Sequence, residues 1–304
     1  MSTKSLVLPY YPGCTLKTTA RGFEVSALAS AAKLGIELME LPRWNCCGTV
    51  FSLTDDDLIH QIAPIRNLIR VQEMNGDGLL DGEYRLVTLC SMCFNTLKRA
   101  NLRVKENPED LKTINDFMYL EEDYKGDAEV VHFLEILRDM GSGSIARKVE
   151  RPLAGLRVAP YYGCMMLRPK EVGIDDPEEP TIQNNILKAL GAEVIYNHYM
   201  KICCGSYQTV HDKYAVAGLA YDILSHARED GAEAIATSCP LCAYNLDNRQ
   251  REVKEIHPDF EEIPVFYFTQ LMALAFGLGP ESCGLDENHV LAEDLLREKQ
   301  LIPQ

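Results

Sequence analysis

The residues with the clearest chemical potential in this 304-residue chain are its eleven cysteines. Ten of them form two sets, each with a single cysteine, then an adjacent pair, then a Cys-x-x-Cys motif. The first set is Cys14, Cys46, Cys47, Cys90 and Cys93, and the second is Cys164, Cys203, Cys204, Cys239 and Cys242. Thiolates are ligands of zinc and iron–sulfur clusters, and a Cys-x-x-Cys motif also serves as a redox pair. The repeat therefore predicts metal, cluster or redox chemistry rather than ten unrelated core residues.

The number of thiols in each set distinguishes between a zinc site, a redox disulfide and an iron–sulfur cluster. Structural zinc takes four ligands, so five cysteines exceed its need, and zinc in one half is the minor alternative. A redox disulfide in each Cys-x-x-Cys motif leaves the adjacent pairs unexplained. A cubane iron–sulfur cluster is held by four cysteines, and a fifth suggests an unusual cluster or one iron that takes two protein thiolates. Cys283 matches neither set and is interpreted as incidental.

The residues around the cysteines repeat as well. PYYPGC resembles PYYGC, CCG occurs twice, and CSMCFNTL resembles CPLCAYNL, at offsets of 150, 157 and 149 residues. Such repetition predicts a duplicated unit, in agreement with a length of roughly 150 residues per domain. We expect an N-terminal domain over residues 1–145 and a C-terminal domain over 146–304, which ends in a terminal helix over Asp286–Lys299.

Strands and helices alternate in both halves. Short apolar runs precede each cysteine motif and predict strands, namely Leu6–Tyr10, Glu37–Leu41 and Arg85–Leu89 in the first half and Leu156–Tyr161, Glu193–Tyr196 and Ala234–Thr237 in the second. Helical patterns lie between them, at Phe23–Leu34, at a segment that starts near Thr54, at Ile182–Leu190 and at Lys213–Glu229. The sequence therefore predicts an α/β fold of two pseudo-symmetric β-α repeats with parallel sheets. Parallel strands end at one edge, where all five cysteines of a half can converge.

Composition excludes some partners and compartments. A net charge of −15 argues against non-specific nucleic-acid binding, which needs a basic surface. The N-terminus lacks the apolar core of a signal peptide, and the apolar stretch Leu271–Gly279 is too short for a membrane span. We therefore expect a cytoplasmic protein, a compartment in which thiols stay reduced.

These motifs resemble the cysteine-rich CCG domain, and the chain is similar to the family of the B subunits of heterodisulfide reductase over residues 6–280. The resemblance implies that the five cysteines of each half hold one noncubane [4Fe-4S] cluster. It also implies an oxidoreductase of methanogenic archaea and their relatives, which reduces the mixed disulfide of coenzyme M and coenzyme B to two thiols. On this interpretation the S–S bond is cleaved between the two clusters.

The implied substrate is anionic, so an acidic protein needs a local basic patch to hold it. The basic residues near the motifs are Lys17, Arg21, Lys98, Arg99, Arg168, Lys170, Lys201 and Arg249. Lys17, Arg168 and Lys201 are favoured as substrate-binding residues by their closeness to cysteines. His198 and His211 flank the second CCG motif and are candidates for proton transfer.

The chain contains no flavin or nicotinamide motif, so a partner has to supply electrons. The resemblance implies two further subunits of heterodisulfide reductase, the iron–sulfur C subunit and the flavoprotein A subunit, together with hydrogenase or formate dehydrogenase. Three alternatives stay open. The chain is another CCG oxidoreductase (a thiol:fumarate reductase, a sulfur-oxidation reductase of heterodisulfide-reductase type, or a lactate or glycolate oxidation subunit), an electron-relay subunit without its own substrate, or a zinc-stabilised scaffold.

Overall fold

The computed structural model describes residues 5–49, 57–80 and 82–303, and two four-stranded parallel sheets organise them. The first sheet has the order β2-β1-β3-β4 and the second the order β6-β5-β7-β8. The first four strands are β1 (Leu6–Tyr11), β2 (Ile36–Glu40), β3 (Arg85–Thr88) and β4 (Glu129–His132). The second four are β5 (Arg157–Tyr161), β6 (Glu193–Val194), β7 (Ala234–Thr237) and β8 (Val265–Tyr267). Identical strand orders in the two sheets confirm the predicted α/β repeat.

Helices connect the strands. In the first half they are α1 (Gly13–Leu16), α2 (Arg21–Leu34), α3 (Ile62–Gly76), α4 (Ser91–Glu106), α5 (Pro108–Phe117), α6 (Phe133–Met140) and α7 (Ser142–Ala146). In the second half they are α8 (Ile182–Ala189), α9 (Gln208–His211), α10 (Lys213–Glu229), α11 (Pro240–Ala243), α12 (Gln250–Ile256), α13 (Phe268–Ala275), α14 (Pro280–Cys283) and α15 (Glu293–Glu298). A π-helical turn, Tyr244–Asn248, separates α11 from α12. The central strands β3 and β7 are buried along most of their length, as is usual for parallel sheets that are covered on both faces.

Several elements differ from those that the sequence predicts. Strands β4 and β8 were not predicted; they are short and run directly into α6 and α13. The terminal helix is confined to Glu293–Glu298 and does not begin at Asp286, so the predicted extent was wrong. The carboxylate of Asp247 accepts the backbone N–H groups of His289 and Val290, at 2.5 and 3.0 Å, and holds this segment outside a helix. The helix expected near Thr54 begins at Ile62, and Thr54 itself lies outside the described residues.

Late helices of each half pack against the other half. Helix α13 packs on α2, while α6 and α7 pack on α8. At the first contact, the ring of Phe23 stacks on Tyr267 at 4.2 Å, and the hydroxyls of Ser26 and Thr269 are hydrogen-bonded at 2.7 Å. Helices that pack on the opposite half therefore connect the two sheets. The domain boundary between residues 145 and 146 stays a prediction.

The helices in the described part of the chain are short or polar compared with a membrane-spanning helix. Across the three described ranges, none has both the length and the apolar character needed to cross a bilayer.

Candidate functional site

The cysteines follow the carboxyl ends of three adjacent strands in each sheet. Cys14 lies in the short helix after β1, and the pair Cys46–Cys47 follows β2. Cys90 is the N-cap of the helix after β3, and Cys93 lies in the first turn of that helix. Parallel pairing brings these strand ends to one edge of the sheet, as the sequence predicts. The second half repeats the arrangement after β5, β6 and β7.

The thiols approach one another closely in each half. In the first half, the sulfurs of Cys14 and Cys46 are 4.0 Å apart, and those of Cys47 and Cys93 are 3.6 Å apart. In the second half, the sulfur of Cys204 lies 3.5 Å from that of Cys242. A narrow cavity of about 30 Å³ is lined by all five second-half cysteines, together with Ser91, Met92, Tyr162, Met165, Ser206 and Leu241.

The two thiol groups meet across the seam between the halves. The hydroxyl of Ser91 lies 3.1 Å from both the carbonyl oxygen and the hydroxyl of Ser238. These serines adjoin Cys90 and Cys239, whose buried thiols lie near enough that Cys239 raises the pKa of Cys90 and Cys90 helps to lower the pKa of Cys239. The Cys-x-x-Cys motifs of the two halves therefore lie side by side at the seam.

Two tyrosines fix the loops that carry the adjacent pairs. The Tyr11 hydroxyl donates a hydrogen bond to the carbonyl oxygen of Asn45 at 2.9 Å, and the Tyr161 hydroxyl donates to that of Ile202 at 2.6 Å. Each acceptor immediately precedes a Cys-Cys pair. The strand that delivers the first cysteine of a half therefore also positions the next two.

Glycine is required where the chain turns beside a thiol. Gly13 and Gly163 have φ angles of +72° and +66°. A Cβ atom on Gly13 would lie 3.1 Å from the sulfur of Cys93, and one on Gly163 would lie 3.3 Å from that of Cys242. The backbone thus approaches a sulfur atom at equivalent places in both halves.

The pKa values of these thiols explain why the two groups need cations beside them. Hydrogen bonds from Cys46 and Cys93 lower the pKa of Cys47. In the second half, bonds from Cys164 and from the adjacent thiol of the pair lower the pKa of Cys203 to about 2. Most of the other thiols in the two groups have raised pKa values, because they interact with a neighbouring sulfur and are desolvated. One thiol of the first group (Cys47) and two of the second (Cys203 and Cys239) therefore ionise readily, and ionisation of the neighbours with raised pKa values requires cations that offset the negative charge.

The donor set suits a polynuclear centre. Among residues 5–49, 57–80 and 82–303, no three His, Cys, Asp or Glu side chains meet the geometry of a single-ion site. The thiols lie in several close contacts spread over each strand edge, and N–H groups of Gly48 and Asn245 point at the sulfurs of Cys46 and Cys204 at 3.5 Å. Such N–H···S bonds stabilise thiolate ligands of iron. The residues present fit an iron–sulfur cluster in each half, with the five thiols of that half as its possible holders.

The predicted substrate-binding residues lie close to the motifs, but carboxylates already pair the three cations. Lys17 contacts Glu24 and Glu40, both at 2.7 Å. Burial lowers the pKa of Lys17, and these hydrogen bonds outweigh it and raise the pKa overall. Arg168 and Lys201 share Glu178, at 3.3 and 2.8 Å.

The two predicted histidines are exposed. His198 begins a 3₁₀ turn and contacts the ring of Tyr196 edge-on at 5.0 Å. His211 ends the short helix α9. Both flank the second CCG motif, as the sequence predicts, and neither is enclosed with the thiols.

Several polar residues that organise the site were not predicted from the sequence. The amide of Asn95 donates to the carbonyl oxygens of Met165 and Arg168, at 2.8 and 2.7 Å, and so anchors the second-half loop to the first-half helix α4. The imidazole of His132 lies 2.7 Å from the carbonyl oxygen of Leu89, just before Cys90. Burial lowers the pKa of His132 to about 4. Asn95 is adjacent to the first Cys-x-x-Cys motif in the sequence, whereas His132 lies in a strand that the sequence did not predict, and the partners of both residues are far away in sequence.

Comparison with protein families shows which family the chain belongs to. The cysteine-rich domain family termed CCG matches residues 8–98 and again residues 158–247. The chain belongs to this family. Both matched segments include the three cysteine motifs of their half, so the duplication inferred from spacing is confirmed.

Curated relatives of this CCG protein are subunits of redox enzymes. It is 33% identical to the 8-methylmenaquinol:fumarate reductase membrane anchor subunit of Wolinella succinogenes, over 94% of this chain and 98% of that one. It is 29% identical to the B subunit of the ferredoxin/F420H2-dependent CoB-CoM heterodisulfide reductase of Methanosarcina acetivorans, over 93% of both chains. A protein of Archaeoglobus profundus that is named for its likeness to the B subunit of heterodisulfide reductase is 29% identical over 88% of this chain and 90% of its own. The predicted resemblance to the B subunits is confirmed.

A solved structure shares the fold. A hypothetical protein from Helicobacter pylori superposes with a TM-score of 0.73 at 13% identity and covers 95% of this chain. The CCG protein spans 53% of the length of that structure. This likeness supports the architecture alone.

Proposed function

We propose that this chain is the catalytic subunit of an iron–sulfur oxidoreductase that reduces a disulfide to two thiols, with the coenzyme M–coenzyme B heterodisulfide as its substrate. The observation that carries the proposal is the hydrogen-bonded pair Ser91 and Ser238, which places the adjoining buried cysteines Cys90 and Cys239 beside each other at the seam. A disulfide has two sulfurs, and two facing sites offer one place for each. The relatives named as B subunits of heterodisulfide reductase support this choice.

The chemistry sets requirements for the chain. Reducing a disulfide RSSR′ to RSH and R′SH consumes two electrons and two protons, and the S–S bond breaks. A noncubane [4Fe-4S] cluster in each half would supply electrons, usually one at a time. The ten repeated cysteines hold these clusters, and burial of Cys90 and Cys239 keeps bulk water away from the seam. His198 and His211 remain candidates for delivering protons from the surface.

Iron analysis tests the cluster part of the proposal. Anaerobically purified protein is expected to contain iron and sulfide for two clusters. Cys239→Ser should lower that content toward one cluster, because the thiol at the seam is lost. Cys283→Ser is the matched control, since Cys283 is buried near Leu278, outside both thiol groups, and should leave the content unchanged. A wild-type preparation with one cluster's worth of iron would refute the two-cluster assignment.

Electron paramagnetic resonance tests the substrate part. We expect the oxidised protein to give a new signal when mercaptoethanesulfonate, the thiol form of coenzyme M, is added. A spectrum that ignores every thiol and disulfide, in protein with intact clusters, contradicts disulfide reduction.

A second candidate rests on the fumarate reductase relative, which aligns over 98% of its own length. In this case the chain relays electrons to a partner protein and has no disulfide substrate. Reduction of the clusters by a quinol, together with indifference to thiols, would favour it. In both cases we propose that the chain works in the cytoplasm within a complex. The C and A subunits of heterodisulfide reductase, with hydrogenase or formate dehydrogenase, are the proposed partners in the first case.

A further inference from the structure

A polar cavity opens beside the second Cys-x-x-Cys motif. Its volume is about 170 Å³, which is enough for several water molecules. Leu241, which lies between the two cysteines of the motif, lines both this cavity and the thiol cavity, so the two cavities adjoin at this side chain. The opposite wall includes the side chains of Asp247 and Glu287, after which we call it the acidic cavity.

The two carboxyl groups of the acidic cavity differ in exposure. Glu287 is exposed, and one of its oxygens accepts the backbone N–H of Gly22 at 2.8 Å. Asp247 is buried, and burial raises the pKa of its carboxyl group. A carboxyl group with a raised pKa holds a proton more readily near neutral pH. The acidic cavity therefore extends from solvent toward the interior and is lined by groups that can pass protons.

Tyr267 connects the acidic cavity with the seam. It is the last residue of β8, which pairs in parallel with β7, the strand that delivers Cys239, and it also lines the acidic cavity. Burial raises the pKa of the Tyr267 hydroxyl, and negative charge at Cys239, Cys90, Asp247 and Glu287 raises it further. The hydroxyl therefore stays protonated and lies near both the thiols of the seam and the carboxyl groups of the cavity.

The equivalent residue of the first half is His132. It is the last residue of β4, which pairs with the strand that delivers the first Cys-x-x-Cys motif, as β8 does in the second half. Its imidazole is fully buried, with one ring nitrogen 2.7 Å from the carbonyl oxygen of Leu89 and the other 3.2 Å from the backbone nitrogen of Leu134. Backbone groups occupy both nitrogens, whereas Tyr267 adjoins a polar cavity. The two halves therefore differ at the one position where a proton could enter beside the motif.

We propose that protons reach the seam from one side only, through the acidic cavity and the hydroxyl of Tyr267. This hydroxyl donates its proton toward the seam while it accepts another from water or a carboxyl group in the cavity, so Tyr267 itself stays neutral. The inference rests on the proposed function. There, the S–S bond breaks, the reduced clusters give two electrons, and each product sulfur takes one proton. Tyr267 is a positioning residue for these protons, in place of the exposed His198 and His211.

Stopped-flow measurement of proton uptake tests the proposal. Anaerobic holoprotein is reduced, freed of reductant and mixed with the coenzyme M–coenzyme B heterodisulfide in weakly buffered solution with a pH indicator. Tyr267→Phe keeps the ring that stacks on Phe23 at 4.2 Å and loses only the hydroxyl. We expect proton uptake to be about a hundredfold slower, at the lower end of what a positioned proton donor contributes. The solvent deuterium isotope effect should increase, because proton transfer becomes the slow step.

Two further variants sharpen the measurement. Glu287→Gln keeps an oxygen that can accept the N–H of Gly22 but loses the carboxyl group, and it should slow proton uptake in the same direction. Tyr221→Phe is the matched control, because its ring also stacks on a neighbour, His257, at 3.7 Å, but borders a different cavity. It should take up protons at the wild-type rate. Uptake is expressed per reduced cluster, so that a loss of iron cannot imitate slow proton transfer.

The outcomes separate this inference from the proposed function. If Tyr267→Phe and Glu287→Gln take up protons and release thiols at wild-type rates, the acidic cavity is not the route, while disulfide reduction stands. Slow uptake in His211→Gln, with a normal rate in Tyr267→Phe, also overturns the inference and assigns the protons to the surface histidine. If wild-type protein with intact clusters releases no thiol and takes up no proton, the proposed function fails and the inference fails with it.

Discussion

The close approach of Gly13 to the Cys93 thiol leads to a sharp prediction. We consider the substitution Gly13→Ala. The new Cβ would lie 3.1 Å from the sulfur of Cys93 and 3.3 Å from the ring of Tyr11, at a backbone φ of +72°. Gly35→Ala is the matched control, because Gly35 has a φ of +83° and a Cβ there would meet no atom within 4 Å.

The two substitutions share one cost and differ in another. An alanine forced into the left-handed region costs about 1–2 kcal/mol at either position. Only Gly13→Ala adds crowding at a sulfur, and a crowded interior costs about 1–3 kcal/mol when neighbours cannot move. In metal-free protein the Cys93 side chain can shift by a few tenths of an ångström, so the extra cost is small. When iron holds this sulfur, it cannot give way.

Urea unfolding and iron analysis measure the two costs separately. We expect both variants to lose about 1–2 kcal/mol of unfolding free energy in the metal-free state. After anaerobic reconstitution, Gly35→Ala should retain the wild-type iron content, while Gly13→Ala should fall toward half because the second site is untouched. Equal iron contents in the two variants would refute the view that Gly13 makes room for a liganding thiol.

Three further predictions concern the seam, a buried histidine and the unmatched cysteine. Gly22→Ala should destabilise the protein by about 1–3 kcal/mol in urea unfolding, because its methyl group would overlap the carbonyl of Gly284. Gly218→Ala, in a helix with nothing within 4 Å, should be neutral or stabilising. Burial depresses the pKa of His132 to about 4 from 6.5, so the unfolded chain binds more protons between these values. Stability should therefore fall by up to about 3 kcal/mol as pH drops from 6.5 to 4, and less in His132→Gln, as unfolding at each pH will reveal. Cys283→Ser should leave the thiol-dependent resonance signal unaltered. Loss of that signal in the variant would contradict an incidental role for Cys283.

Local pattern was sufficient to predict most of the repeat. Strand runs such as Ala234–Thr237 and the helix Lys213–Glu229 have the bounds that the sequence predicts, because their periodicity and flanking turns are unambiguous. Strands β4 and β8 were missed, because a run of three or four residues before a helix has no distinct period. The terminal helix was overextended, since its start depends on the distant carboxylate of Asp247.

The candidate site also combines features that are local in sequence with features that depend on contacts between distant residues. The sequence by itself determined the ten repeated cysteines, their division into two sets and their place at the ends of parallel strands, because motif spacing and β-α order are local properties. Only the tertiary structure decided that Ser91 and Ser238 bring Cys90 and Cys239 side by side, and that helices of each half pack on the other half. It also decided that Lys17 is held by Glu24 and Glu40. These are contacts between residues remote in sequence, and each depends on how the helices pack the two sheets together.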